Sequence, residues 1–419
     1  MTTRTEAAKF PEIRVPAGLT FAGLALGFAV GVMLAGTPAL DILLRFAEPA
    51  GTLWLRALQL TILPLVIGLV YTGISQTLEA AGGGALARRA VITFCVILLA
   101  SGTVSAILVP GLLTAFPIPE RAAAALSGGA AEAGTVPGFA EILKAMMPSN
   151  IFEAASTGAM LPIVLFVAVL AVAATRIASE PRRQLGLLFE GVAAAMMVVI
   201  GWVLMLAPIG VFGLAVTLAA ASGAEAIAAL AHYIVIVVAA GTVVLLGCFL
   251  FGVIAGKRSP FAFARALVPV YAVAISTQSS LASLPAMLGA TRRLGVREST
   301  ADFVLPLAVA IFRATSPAMN MGVAIYCAYL TGTTLGPLAL VAGVLVAFLV
   351  SLSSVSLPGT LSFVISVGPI AQAMGVPIGP LALLVAVEVL PDIMRTLGNV
   401  TGDVAVTAVV DREPQADPA

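Results

Sequence analysis

The chain reads as an all-α membrane protein, with eight transmembrane helices and two re-entrant helical hairpins arranged as inverted repeats. Three features predict this: an extremely apolar composition, apolar runs long enough to cross a bilayer, and a Ser- and Pro-broken motif that occurs twice. Of 419 residues, 60% are hydrophobic and 10% are charged, whereas a soluble domain carries about 25% charged residues. A water-soluble fold cannot hide that much apolar surface, so the solvent is lipid. The net charge of +1 gives no electrostatic reason to expect a nucleic-acid partner. Cys95, Cys248 and Cys327 each lie in an apolar run, spaced for neither a disulfide framework nor a metal site, and read as small buried hydrophobes. With His232 as its single histidine, the chain has no histidine metal centre or histidine relay. The charged start leads into a long span without a small-residue cleavage site, the pattern of an anchored first helix rather than a signal peptide.

A bilayer core takes about 20 helical residues to cross. Spans are expected near 17–36, 48–77, 86–115, 150–176, 185–219, 228–255, 300–330 and 379–410. Two further apolar segments, near 260–290 and 337–372, are broken by Ser, Pro and Gly. With the N-terminus in the cytoplasm, each span crossing once and each broken segment returning to its own side, the basic residues divide unevenly. Fifteen of the 21 Lys and Arg fall on cytoplasmic pieces, among them Arg88, Arg89, Arg182, Arg183, Arg292 and Arg293. Arg45, Arg121 and Lys144 fall outside, and Arg56, Arg313 and Arg395 within spans. This is the asymmetry that sets membrane orientation. Arg56 either snorkels to an interface or pairs with Glu79 or Glu48.

The broken segments share a motif: residues 279–285 read SSLASLP and residues 353–358 read SSVSLP. Pro lacks an N–H and clashes with the preceding turn, so neither can run as one continuous helix. At membrane depth such backbone is tolerated only inside protein or along a cavity. Paired interrupted segments therefore point to the binding site of a transporter. One opens from inside and the other from outside, which inverts the repeat. Ordinary polar loops are the alternative.

The last span carries the charge. Glu388, Asp392, Arg395, Asn399 and Asp403 fall within roughly 80° of one another at 3.6 residues per turn, one stripe of the helix. Ionisable residues inside a membrane are costly and mark function. Arg395 can grip a carboxylate through two parallel hydrogen bonds, and Asp392, one turn earlier, can receive an ammonium. Together they match an amino acid with an acidic side chain. An internal ion-pair ladder is the competing reading. Nothing in the sequence presents a nucleophile with a base, a metal cluster or a phosphate loop, so an enzyme is not expected.

STQSSLASLP at 276–285, LPG at 357–359, APIGVF at 207–212 and above all DIMRTLGNVTGD at 392–403 resemble the dicarboxylate/amino acid:cation symporters, the glutamate-transporter homologues. The resemblance covers nearly the whole chain. It implies the fold of that family, a homotrimer in a bacterial-type inner membrane with both termini cytoplasmic, and lipid as the surrounding partner. It divides the chain into a cytoplasmic N-terminus at 1–16, scaffold spans at 17–85 and 150–227, and a third span at 86–115 belonging to the moving unit. Residues 116–149 form an extracellular loop, 228–411 the rest of an elevator-like transport domain and 412–419 a cytoplasmic tail. By resemblance, Arg395 binds the side-chain carboxylate of the substrate and Asp392 its amino group. Thr396, Asn399, Gln278, Ser279, Ser280 and Ser316 help to hold it, and Pro358 and Gly359 belong to the outer gate. Asp403 and Asn399 become sodium ligands, with sodium or a proton as coupling ion and no other cofactor.

The chain also departs from the family. Where the seventh span normally carries Asn-Met-Asp-Gly-Thr, this sequence has Phe312, Arg313, Ala314, Thr315 and Ser316. The carboxylate is gone and an arginine stands beside its place. Either Arg313 serves as a tethered cation, neutralising Asp403 or Glu388 without a bound ion, or it gives a second contact to substrate. Gln278 stands where some members have arginine, and Leu281 replaces a serine. The expected function is secondary transport of an acidic amino acid, with altered or absent sodium coupling, either coupled to protons through Glu388 or Asp392 or uncoupled. A C4-dicarboxylate carrier and an uncoupled exchanger or anion channel are the alternatives.

Overall fold

The computed structural model of the chain describes residues 17–118, 149–157, 159–222, 225–353 and 359–411. Every regular element among them is helical. The first group is α1 (Ala17–Met33), α2 (Pro38–Ala81) and α3 (Ala85–Ala115). It is followed by α4 (Ile151–Thr157), α5 (Met160–Ala174), α6 (Ser179–Met205) and α7 (Ala207–Ser222). The last third holds α8 (Glu225–Ile254), α9 (Pro260–Thr277), α10 (Leu284–Arg293), α11 (Glu298–Ile311) and α12 (Ser316–Leu330). It ends with α13 (Pro337–Ser353), α14 (Gly359–Ala373), α15 (Leu381–Leu384), a 3₁₀ turn at Val385–Val387 and α16 (Val389–Val410). Among the described residues, six helical stretches are long and apolar enough to cross a membrane. Large apolar side chains such as Leu60 and Phe46 stand exposed on their outer faces, as lipid-facing residues do.

Helices occupy the regions of the expected spans, with revised bounds. The second extends back to Pro38, making a helix of 44 residues; Asp41, Arg45 and Glu48 interrupt the hydropathy there without interrupting the helix. The fifth begins at Ser179 and kinks at Leu206, ahead of Pro208, which cannot donate to the preceding turn. Glu79 binds Arg182 at 2.9 Å, so the pairing considered for Arg56 goes to another arginine, and Arg56 is exposed.

The first layer is welded by glycine. Gly23, Gly27 and Gly31 lie one turn apart on α1, against α7. A methyl group at Gly27 would stand 2.6 Å from the Phe212 carbonyl oxygen and 2.7 Å from the Ala215 Cβ. Only bare backbone permits this approach, the small-residue packing that holds helices together in lipid. Across the layer, the Trp54 indole N–H of α2 donates to the Val203 carbonyl at 2.9 Å.

Both broken segments fold as helix pairs whose arms pack together, α9 on α10 and α13 on α14. Gln278 ends α9 in the left-handed region, φ 50°. The Ser283 N–H then turns back to the carbonyls of Ser279 and Ser280, and Pro285 sits in the first turn of α10, where a missing N–H costs nothing. The tip of the second pair, residues 354–358 with Pro358, lies outside the described residues.

The seventh span, expected to be continuous over 300–330, is broken. Phe312 is extended at φ −122°, ψ 123°, and the helix restarts at Ser316 with Pro317 in its first turn. The eighth span becomes a regular helix only at Val389, and Glu388 occupies its N-cap position. These irregular stretches meet in the interior.

Candidate functional site

Opening a helix inside a membrane frees backbone groups that must find partners. At the break between α11 and α12, the freed Thr315 N–H donates to the Asn399 side-chain oxygen at 3.0 Å. The Thr315 hydroxyl lies 2.7 Å from that same oxygen and 2.7 Å from the Arg395 carbonyl. The broken span is thereby pinned to the charged face of α16.

That face is a buried cluster. Glu388, Asp392 and Arg395 are 0%, 5% and 2% exposed. Arg395 donates from one terminal nitrogen, Nη1, to Asp392 Oδ1 at 2.8 Å. From the other, Nη2, it donates to Glu388 Oε1. The Tyr233 hydroxyl of α8 reaches across to donate to Glu388 Oε2 at 2.9 Å. Arg395 Nε has no hydrogen-bond partner among the described residues. The arginine therefore holds two carboxylates through its terminal nitrogens and keeps its Nε–H uncommitted.

Farther along the stripe, Asp403 is 0% exposed, and neither carboxylate oxygen has a hydrogen-bond partner among the described residues. Arg313, buried at the helix break, supplies the positive field that acts on it. Arg313 in turn feels Asp403, Asp392 and Arg395, so two guanidinium groups and two aspartates share this interior.

Asp403 and Asn399 were the expected sodium ligands. An orphaned buried carboxylate suits a cation, but its surroundings do not. A side chain added at Gly402, one residue before Asp403, would meet Ala314, Phe312 and Cys248, so this flank of α16 brings no side-chain oxygen to a hard cation, which would have to draw on backbone carbonyls. The Asn399 oxygen is committed to Thr315. Among the described residues, no group of three His, Cys, Asp or Glu is placed to hold a metal ion. The side chains named here give sodium one carboxylate and no second free oxygen, a poor fit to a hard cation.

The sequence pattern that defines the sodium:dicarboxylate symporter family matches residues 18–413, nearly the whole chain. The chain belongs to that family. It is accordingly a membrane-embedded, multi-pass secondary transporter and not an enzyme. Among its relatives is the proton/sodium-glutamate symport protein of Bacillus subtilis (strain 168), 28% identical over 93% of this chain and 90% of the relative. The proton/glutamate-aspartate symporter of Escherichia coli (strain K12) is 24% identical over 88% of this chain and 85% of the relative. The C4-dicarboxylate transport protein 1 of Pseudomonas aeruginosa (strain UCBPP-PA14) is 25% identical over 93% and 86%.

In this symporter the remaining candidates take varied places. The Thr396 hydroxyl is spent on the Asp392 carbonyl, 2.9 Å away. Ser279 closes its own turn, accepting from the Ala282 N–H at 3.2 Å; Ser280 is buried and Gln278 half-buried beside it. Both arms of this hairpin pack on α16. Ser316 is the first residue of α12, and its buried hydroxyl has no partner among the described residues. Gly359 begins α14, while Pro358 lies outside the described residues.

Tyr233 was missed by sequence reasoning. It lies in an apolar run 155 residues before its partner, with only apolar residues one turn to either side of it. Ser101 was missed too; its hydroxyl accepts the Ala318 N–H at 3.3 Å, tying α3 to the restart at α12. His232 bridges the Tyr326 hydroxyl at 3.2 Å and the Phe116 carbonyl at 3.0 Å, a structural clasp at one end of α8.

Proposed function

We propose that the protein carries a small anionic solute, an acidic amino acid such as aspartate or glutamate, across a bacterial-type inner membrane. The observation that carries this reading is the buried Asp392–Arg395 pair, which offers opposite charges one turn apart. Arg395 takes the side-chain carboxylate of the solute and Asp392 its ammonium. Gln278, Ser279, Ser280, Ser316, Thr396 and Asn399 help to hold the solute, and Pro358 and Gly359 belong to a gate. The glutamate and glutamate-aspartate relatives support this class of solute.

The architecture we infer has eight crossings and two re-entrant hairpins, with both termini in the cytoplasm. Residues 17–85 and 150–227 serve as scaffold of a homotrimer set in lipid. Residues 86–115 and 228–411 form the unit that moves, with 1–16, 116–149 and 412–419 outside the bilayer. The packing of α1 and α2 on α7 supports the first unit, and that of α8 on α16 and α3 on α12 the second.

Arg313 acts as a built-in cation for Asp403 in place of a sodium ion, so transport is indifferent to sodium. The poor fit of sodium to Phe312, Ala314 and Cys248 supports this. A second reading, a C4-dicarboxylate carrier, is favoured by the nearness of Arg313 to Arg395, since two guanidinium groups suit two carboxylates.

Uptake of labelled aspartate into proteoliposomes, with sodium, proton and no gradient in parallel, tests these statements. Uptake unaffected by replacing sodium is the expected result. Sodium-driven accumulation overturns the role given to Arg313, and uptake of succinate without aspartate moves the solute to the dicarboxylates.

A further inference from the structure

Glu388 is bound from two sides. Arg395 Nη2 donates to one carboxylate oxygen and the Tyr233 hydroxyl to the other. The facing groups are few; Arg313, at the break between α11 and α12, acts on Asp392 and Arg395 but is not among the groups that act on Glu388. From α16 they are Asp392 and Arg395, and from α8 Tyr233, itself packed edge-on against Tyr326 of α12 at 5.3 Å. Cys327 of α12 acts on Tyr233 from the same side. The other helices packed against this segment, α1, α14 and α15, have no ionisable side chain.

The guanidinium geometry decides which carboxylate an incoming solute displaces. A carboxylate grips arginine most specifically through two parallel N–H bonds, and on the side-on edge these come from Nε and Nη2. Nε is the donor without a partner, and Nη2 is the one that Glu388 holds. Nη1, bound to Asp392, lies on the opposite edge. Docking on the Nε–Nη2 edge therefore evicts Glu388 and leaves Asp392 in place to meet the ammonium.

Once evicted, Glu388 is a fully buried carboxylate whose remaining neutral partner is the Tyr233 hydroxyl. A carboxylate without its cation in a low-dielectric interior is too costly to keep ionised and takes up a proton instead. We propose that Glu388 is the proton-binding site of this carrier: it yields Arg395 to the carboxylate of the solute and binds one proton in exchange. The proton comes from water as the solute enters and returns to water when the solute leaves and Glu388 re-forms its bond to Arg395. Charge balances, because the carboxylate of the solute replaces that of Glu388 on the same guanidinium. The proposal rests on Arg395 as the carboxylate receptor.

The test is titration calorimetry on the purified full chain with aspartate, and separately succinate, in buffers of different ionisation heat. The expected result is uptake of about one proton per ligand bound, falling to none in Glu388→Gln. Binding without proton uptake in the native chain overturns the proposal alone, as does a count that stays near one in Glu388→Gln. Binding of neither ligand overturns it together with the reading of Arg395. Tyr233→Phe provides a second measurement if Glu388→Gln does not fold. It keeps the carboxyl and removes the donor that favours the ionised form, so the pH midpoint of proton uptake moves upward; an unmoved midpoint counts against the proposal.

Discussion

The side-chain oxygen of Asn399 accepts the backbone N–H of Thr315 at 3.0 Å, so one amide on α16 closes the gap left where α11 stops and α12 begins. A residue expected to touch solute or ion is thus also a structural patch for the open helix. Asn399→Leu leaves a buried N–H unpaired, which costs about 1–3 kcal/mol. Thermal unfolding in detergent should show the loss, and Thr315→Val, which keeps the N–H bond and removes only the hydroxyl, should show a smaller one.

Arg395 joins two buried carboxylates at once, and that geometry belongs to guanidinium. Lysine is a point charge without the planar fork. Arg395→Lys should lower aspartate uptake at least tenfold, or about 1.4 kcal/mol, while Arg395→Ala abolishes it. Uptake at the native rate in Arg395→Lys would show that the fork is not used.

Removing Arg313 strips Asp403 of the buried cation whose field acts on it and leaves its charge less compensated in the interior. Arg313→Met should therefore lower the unfolding temperature sharply, and the double variant Arg313→Met/Asp403→Asn should recover much of it. Independent, additive losses would mean that the two residues are not coupled.

The α1–α7 seam has a different sensitivity. Gly27→Val forces side-chain atoms into the Phe212 carbonyl, and overpacking of this kind costs about 1–3 kcal/mol. Gly18→Ala, where an added methyl meets nothing within 4 Å, is the control and should be neutral. The comparison can be read from monodispersity and thermal stability of the two variants.

By contrast, Arg182–Glu79 is exposed, with side-chain accessibilities of 33% and 62%. Such pairs contribute about 0–1 kcal/mol, so Glu79→Gln should leave unfolding nearly unchanged at physiological salt.

The charged stripe was legible because a helix repeats every 3.6 residues and the residues at 388, 392, 395, 399 and 403 are rare inside a membrane. The two hairpins were legible from Ser clusters beside Pro. The break at Phe312 was not, because its one local sign, Pro317, sits where it is equally at home in the first turn of a new helix. The true length of α2 was hidden by Asp41, Arg45 and Glu48, which lower hydropathy while remaining good helix formers. Tyr233 was hidden for a different reason: its role is set by a contact with Glu388 that no local pattern encodes.

The glycine face of α1 also carries a consequence in time. Its partner, α7, begins about 175 residues later in the chain. At a synthesis rate of ~5–20 residues per second, α1 waits on the order of 10–35 s before α7 exists. During that interval the groove at Gly23, Gly27 and Gly31 faces lipid or an insertion chaperone. α1 therefore finds its seat only after the five helices α2 to α6 have been made, and variants that speed or pause translation between 34 and 207 should alter yield without altering the finished protein.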